Sequence, residues 1–131
     1  IDNPAGLHDY ICLGWAYYRP DYSPLVDLYL NPHVGGKTIL TVGDGLIGAK
    51  RWMWPDPAWT TFQGTPQSLF FSRDPVAIDC VMHDFLAAET EVSDLADDYL
   101  ANASDVGLGT YEHGDPWGSG YSLIDYSRIE L

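Results

Sequence analysis

The apolar and polar positions cut this chain into short elements. The clearest run is Leu69-Phe70-Phe71, followed at once by Ser72-Arg73-Asp74-Pro75-Val76-Ala77-Ile78-Asp79-Cys80. It predicts a strand over Ser68–Ser72 that turns directly into a helix from Pro75 to about Ala88. Asp74 reads as the N-cap and Pro75 as the first helical residue, where a missing N–H costs nothing. On a helical wheel Val76, Ala77, Ile78, Cys80, Val81, Met82, Phe85, Leu86 and Ala87 cover nearly the whole circumference. Such a helix is buried on most sides.

The remaining pattern supplies the other elements. Thr38-Ile39-Leu40-Thr41-Val42 predicts a short β-branched strand ending at Gly43-Asp44-Gly45, where two glycines let the backbone bend sharply. Ser23-Pro24 opens a short helix through Leu25, Val26, Leu28 and Tyr29. Asn31-Pro32 ends it, because the residue before a proline avoids the helical region. Ser93 caps a helix from Asp94 to about Ala103, whose early acids suit the positive end of its dipole, and Gly107-Leu108-Gly109 stops it. His8 to Tyr18 is mostly apolar and fits either a helix or a buried strand. Residues 48–66 form an irregular insert, since Pro55 and Pro57 forbid regular structure across it. Residues 110–120 are a Gly/Pro/Trp loop, and Tyr121 to Leu131 reads as a final strand. The sum is one α/β domain over residues 1–131: a mixed, partly parallel sheet with helices packed on it and a long Trp/Pro-rich loop. The first two strong strands are expected to pair in parallel.

Composition narrows the function classes. Six basic residues against nineteen acidic ones give a net charge of −13, which repels phosphate backbones and argues against nucleic-acid binding. No window is long and apolar enough for a membrane span. The chain begins at Ile1 without an export signal and reads as a processed, truncated or excised piece. Its acidity, few lysines and many aromatics lean towards an exported protein. Cys12 and Cys80 lack CxxC spacing, so no zinc knuckle or iron–sulfur cluster can be built from this chain alone; two buried free thiols are expected.

The candidate chemistry lies where the strands and the main helix meet. Asp79 and His83 stand one turn apart on an otherwise apolar helix and must satisfy each other, a loop, water or a metal. With Asp44, on its glycine-flanked turn, they form a candidate catalytic set at the strand ends. Asp44 would be metal ligand or general base, Asp79 its partner or orienter, and His83 an auxiliary; the implied cofactor is a divalent cation held by Asp44 and Asp79. The architectural alternatives are that Asp79 braces the Gly43-Asp44-Gly45 loop and that Asp44 only shapes a turn. His8-Asp9 and His113-Gly114-Asp115 can each supply a metal ligand, but neither has a recognised metal-motif spacing. Gly43-Asp44-Gly45-Leu46-Ile47-Gly48 spaces as GxGxxG without a helix after it, and is set aside as coincidence. A second function class is an aromatic platform of Trp52, Trp54, Trp59 and Trp117 for a sugar or peptide. A third is a structural half-domain that pairs with an N-terminal remainder of the same protein, or with a second copy.

Leu40-Thr41-Val42-Gly43-Asp44-Gly45, Ser72-Arg73-Asp74-Pro75-Val76-Ala77-Ile78-Asp79 and the glycines near Gly107-Leu108-Gly109 together resemble the C-terminal part of the domain of unknown function 362 family. The Ser-Arg-Asp-Pro-Val-Ala-Ile-Asp run is the most specific match. The likeness covers about residues 8–131 and implies an α/β fold, with His8 or His33 standing for a histidine ahead of the first strand. It implies no settled activity. Some members carry ferredoxin-like cysteines or twin-arginine signals, and this chain shows neither. The insert from Arg51 to Phe62 is richer in tryptophan than the family pattern.

Overall fold

The computed structural model describes residues 23–47, 66–89 and 94–131. Helix α1, Pro24–Leu30, begins on buried Ser23 and stops at Asn31, whose extended ψ of 124° is what a residue before proline adopts. A single 3-10 turn, Gly35–Lys37, leads to strand β1, Thr41–Gly45. Strand β2, Ser68–Ser72, runs into helix α2, Pro75–Ala87, and helix α3, Asp94–Asp105, follows. Among the described residues no helix is long and apolar enough to cross a membrane.

The fold is mixed α/β, and its strand pairing differs from expectation. β1 and β2 are antiparallel, in the register Val42↔Phe71, Gly43↔Phe70 and Asp44↔Leu69. A parallel pair would need a crossover connection, usually through a helix, whereas an antiparallel pair does not. The expected Trp/Pro-rich loop lies outside the described residues. β1 also starts at Thr41 rather than Thr38 and runs through its glycines. A Cβ on Gly43 would strike the Met82 side chain, and one on Gly45 would stand 2.7 Å from Phe70 Cε2. Gly43 therefore lets β1 lie close on α2, and Gly45 makes room for the Phe70 ring of β2.

α2 is the centre of the packing, touching both strands and α3. Val76 and Cys80 join Val26, Leu100 and Ala103 in one cluster, with Tyr99, Leu108, Tyr111 and Ile124 around it. On the strand side Phe70 meets Phe85 edge-on, with ring centroids 4.8 Å apart. α3 closes on Gly107 at φ 81°, with Leu108 N–H donating to Ala103 and Gly107 N–H to Ser104, a pairing that satisfies its last carbonyls.

The stretch from Tyr121 to Leu131 forms no strand, contrary to expectation. The Glu112 carboxylate accepts hydrogen bonds from three successive amides, those of Ser122 (2.7 Å), Leu123 (2.7 Å) and Ile124 (2.9 Å). Successive N–H groups of a strand point to opposite sides, so three converging on one acid exclude it.

Asp74 caps α2 as expected and does more. Its Oδ1 accepts from Val76 and Ala77 N–H, and its Oδ2 accepts from Thr110 N–H at 2.8 Å, tying the C-terminal loop to the helix start. Gly109 permits this approach, since a Cβ there would overlap the Asp74 carboxylate. Asp74→Ala is expected to cost about 2 kcal/mol in urea unfolding, the sum of a lost cap and a stranded amide, with Asp74→Asn keeping part of it. A change under about 0.5 kcal/mol would show that these three bonds carry little.

Candidate metal centre

The second half of α2 presents two polar neighbours, His83 and Asp84; the fold buries Asp84 and leaves His83 partly buried. Asp84 lies on the stripe of Ala77, Cys80 and Val81 and is only 9% exposed. A carboxylate taken that far from water must be fully hydrogen-bonded. Three donors from the C-terminal loop meet it: His113 Nδ1 at 2.6 Å, Gly114 N–H at 2.9 Å and the Tyr121 hydroxyl at 2.8 Å. Burial raises the Tyr121 phenol pKa, and the adjacent Asp84 charge raises it further, so this hydroxyl stays a donor.

Held in this way, His113 reaches across to α3, and its Nε2 stands 2.7 Å from Asp97 Oδ1. Burial pulls the His113 pKa down, but hydrogen bonds to Asp84 and Asp97 outweigh it and the net shift is upward. His83 lies beside His113, with ring centroids 4.9 Å apart. Its Nδ1 is 3.9 Å from Asp84 and its Nε2 is 3.8 Å from Asp97, both too long for hydrogen bonds. Both ring nitrogens are buried without a hydrogen-bond partner. His83, Asp97 and His113 each offer one ligand atom, and these atoms all lie within 4.8 Å of one another. Two imidazoles and a carboxylate can hold a divalent metal with coordination positions left over.

The residues expected at the strand ends are placed differently from one another. Asp44 is exposed on β1, and its Oδ1 accepts from Leu46 N–H at 2.9 Å, a local turn contact. Asp79 accepts a 3.3 Å hydrogen bond from the Tyr99 hydroxyl; burial raises its carboxyl pKa and that bond draws it partly back. Among the described residues neither belongs to the group that gathers His83. Cys80, one turn before Asp84, is a buried free thiol with its pKa pushed by burial up to about 11. It is inert as a ligand or nucleophile at neutral pH.

Asp84 and Asp97 did not figure among the expected site residues. The signal for Asp84 was its place three and four residues after Val81 and Cys80, on the most apolar stripe. Nothing in the sequence sets Asp97 apart from Asp94 or Asp98. His113 was legible only as half of an unspecific His/Asp pair.

Of the expected aromatic platform, Trp52, Trp54 and Trp59 lie outside the described residues. Trp117 is half-buried, with its ring 4.2 Å from Phe85 and the Arg128 guanidinium 5.7 Å from its centroid. An open depression of about 390 Å³ lies elsewhere, bordered by Tyr29, Pro32, Thr38, Arg73 and Leu108, and no imidazole or carboxylate lines it. No protein-family model, curated protein or solved structure matches the chain.

The loop that delivers His113 depends on a second acid. Partial desolvation works to raise the Glu112 pKa, but the amides of Ile124, Leu123 and Ser122 outweigh it and hold the carboxyl below its ordinary value. A carboxyl depressed in the folded state contributes stability above its unfolded pKa and loses it as pH falls through the folded value. The amide resonances of Ser122 to Ile124 should therefore shift together in acid, with a midpoint below the ordinary 4.5, and Glu112→Gln should abolish the shift. A midpoint at or above that value would mean that the three amides do not favour the charged form.

Proposed function

We propose that the chain is an enzyme-like α/β domain of the kind seen in the domain of unknown function 362 family, with an acidic divalent-cation site. That site is built from His83, Asp97 and His113, where α2, α3 and the C-terminal loop meet. The observation that carries this reading is His83. An imidazole with both nitrogens buried and without a hydrogen-bond partner gives up its two hydrogen bonds to water, a costly loss. A cation between its Nε2, His113 Nε2 and Asp97 would offset that loss. The charge balance supports the same reading, since Asp84 and Asp97 are two carboxylates in a chain of net charge −13. The cation would supply Lewis acidity to a ligand or to water at its open positions. The chain itself supplies the rigid geometry: two ligands stand on helices, and the third is locked by Asp84.

Calorimetric titration with magnesium, calcium, manganese and zinc tests this. At least one ion is expected to bind stoichiometrically and to raise thermal stability, by about 2.7 kcal/mol at a hundredfold excess over Kd. His83→Gln and Asp97→Asn should each abolish that heat, and Asp44→Ala should leave it unchanged. Absence of heat for every ion would sink the proposal. Loss in Asp44→Ala with retention in His83→Gln would return the site to the end of β1.

A further inference from the structure

The two imidazoles stand side by side between two acids, and each turns the same nitrogen to the same acid. Asp84 Oδ1 lies 2.6 Å from His113 Nδ1 and 3.9 Å from His83 Nδ1. Asp97 Oδ1 lies 2.7 Å from His113 Nε2 and 3.8 Å from His83 Nε2. The Oδ2 of Asp84 is taken up by the Tyr121 hydroxyl and the Gly114 amide, so Oδ1 is the atom left for the ring nitrogens.

We infer that Asp84 is a positioning residue for the metal-bound site, holding His113 through Nδ1 and taking up His83 Nδ1–H once a metal draws that ring in, so that both Nε2 atoms are turned to the metal beside Asp97 and select a borderline transition metal of the zinc, cobalt or iron(II) class. The inference rests on the cation-binding reading above and adds the metal class and the role of Asp84. A ring nitrogen whose partner nitrogen donates to a carboxylate is fixed in tautomer and made a stronger ligand. Hard ions such as calcium and magnesium take oxygen shells, which two imidazoles cannot provide. Imidazole suits zinc, cobalt, iron and nickel.

The spacing agrees. Ligands at about 2.0–2.1 Å in a tetrahedral shell stand about 3.3 Å from one another. The His113–Asp97 contact is shorter than this and the His83–Asp97 separation is longer. Binding would part the first pair as the Nε2 proton leaves, and draw the His83 ring inward. That movement also brings His83 Nδ1 towards Asp84. With three protein ligands the metal keeps at least one position for water or substrate.

Cobalt(II) titration of the full chain, followed by visible absorption, tests the inference. The wild type should develop d–d bands typical of a four- or five-coordinate site, lost in His83→Gln and His113→Gln. Asp84→Asn should keep the fold by circular dichroism and weaken cobalt affinity about 10–100-fold. Tyr121→Phe, which removes a donor to Asp84 without touching either imidazole, should change it far less. Calcium, magnesium or manganese binding without cobalt or zinc would overturn the metal class while leaving the cation reading intact. No binding of any ion would remove both. Bands that survive in both histidine variants, or cobalt affinity unchanged in Asp84→Asn, would overturn the assigned ligands or the positioning role. If Asp84→Asn does not fold, long-range proton–nitrogen spectra of the zinc-loaded wild type decide instead. Both rings must be protonated at Nδ1, and an Nε2–H on either one overturns the inference.

Discussion

Burying the charge of Asp84 within the most apolar helix of the chain is the constraint from which the site follows. The helix cannot donate to it, because its own amides are committed to backbone carbonyls. The donors must therefore come from elsewhere, and His113, Gly114 and Tyr121 supply them from one loop. The loop has to close over α2 for that carboxylate to be tolerated at all. In closing, it sets one imidazole against another and reaches the acid on α3.

The same economy recurs along the described part of the chain. With six basic residues for nineteen acids, few carboxylates can find a Lys or Arg. Asp74 accepts three backbone amides, Glu112 accepts three, and Asp84 accepts an amide, a phenol and an imidazole. Arg128 and Glu130 form a surface pair at 2.9 Å, a contact of small energetic weight. Hydrogen bonds to ionised acceptors are the stronger kind, so these acids act as fasteners for segments without regular structure. That is how a C-terminal stretch lacking strand or helix is held in one place.

The position of the site also follows from the sheet. Ligands gather at the carboxyl ends of parallel strands because crossover helices leave a crevice there. An antiparallel pair creates no such crevice, and the end of β1 holds only a turn around Asp44. The junction of two helices with a pinned loop brings the candidate ligands together instead. Rigid helices fix His83 and Asp97, so the geometry of the centre depends on helix packing more than on the strands.

The local grammar of this chain is legible in its sequence. The Asp74-Pro75 start of α2, the Ser23-Pro24 and Asn31-Pro32 limits of α1, the glycine stop of α3 and the second strand all rest on neighbours in sequence. That His83 is a polar interruption of a buried helix was legible for the same reason. Strand direction, the close-packing role of Gly43 and Gly45, and the irregular path after Tyr121 depend on what lies across the fold. So does the company of His83. A helical wheel sets Asp79 and His83 on one face, but Asp84 is the acid of α2 that the fold buries, and only folding brings residues 97 and 113 to the same few ångströms. Which acids pair with which donors is decided by burial, and burial is a property of the assembled molecule.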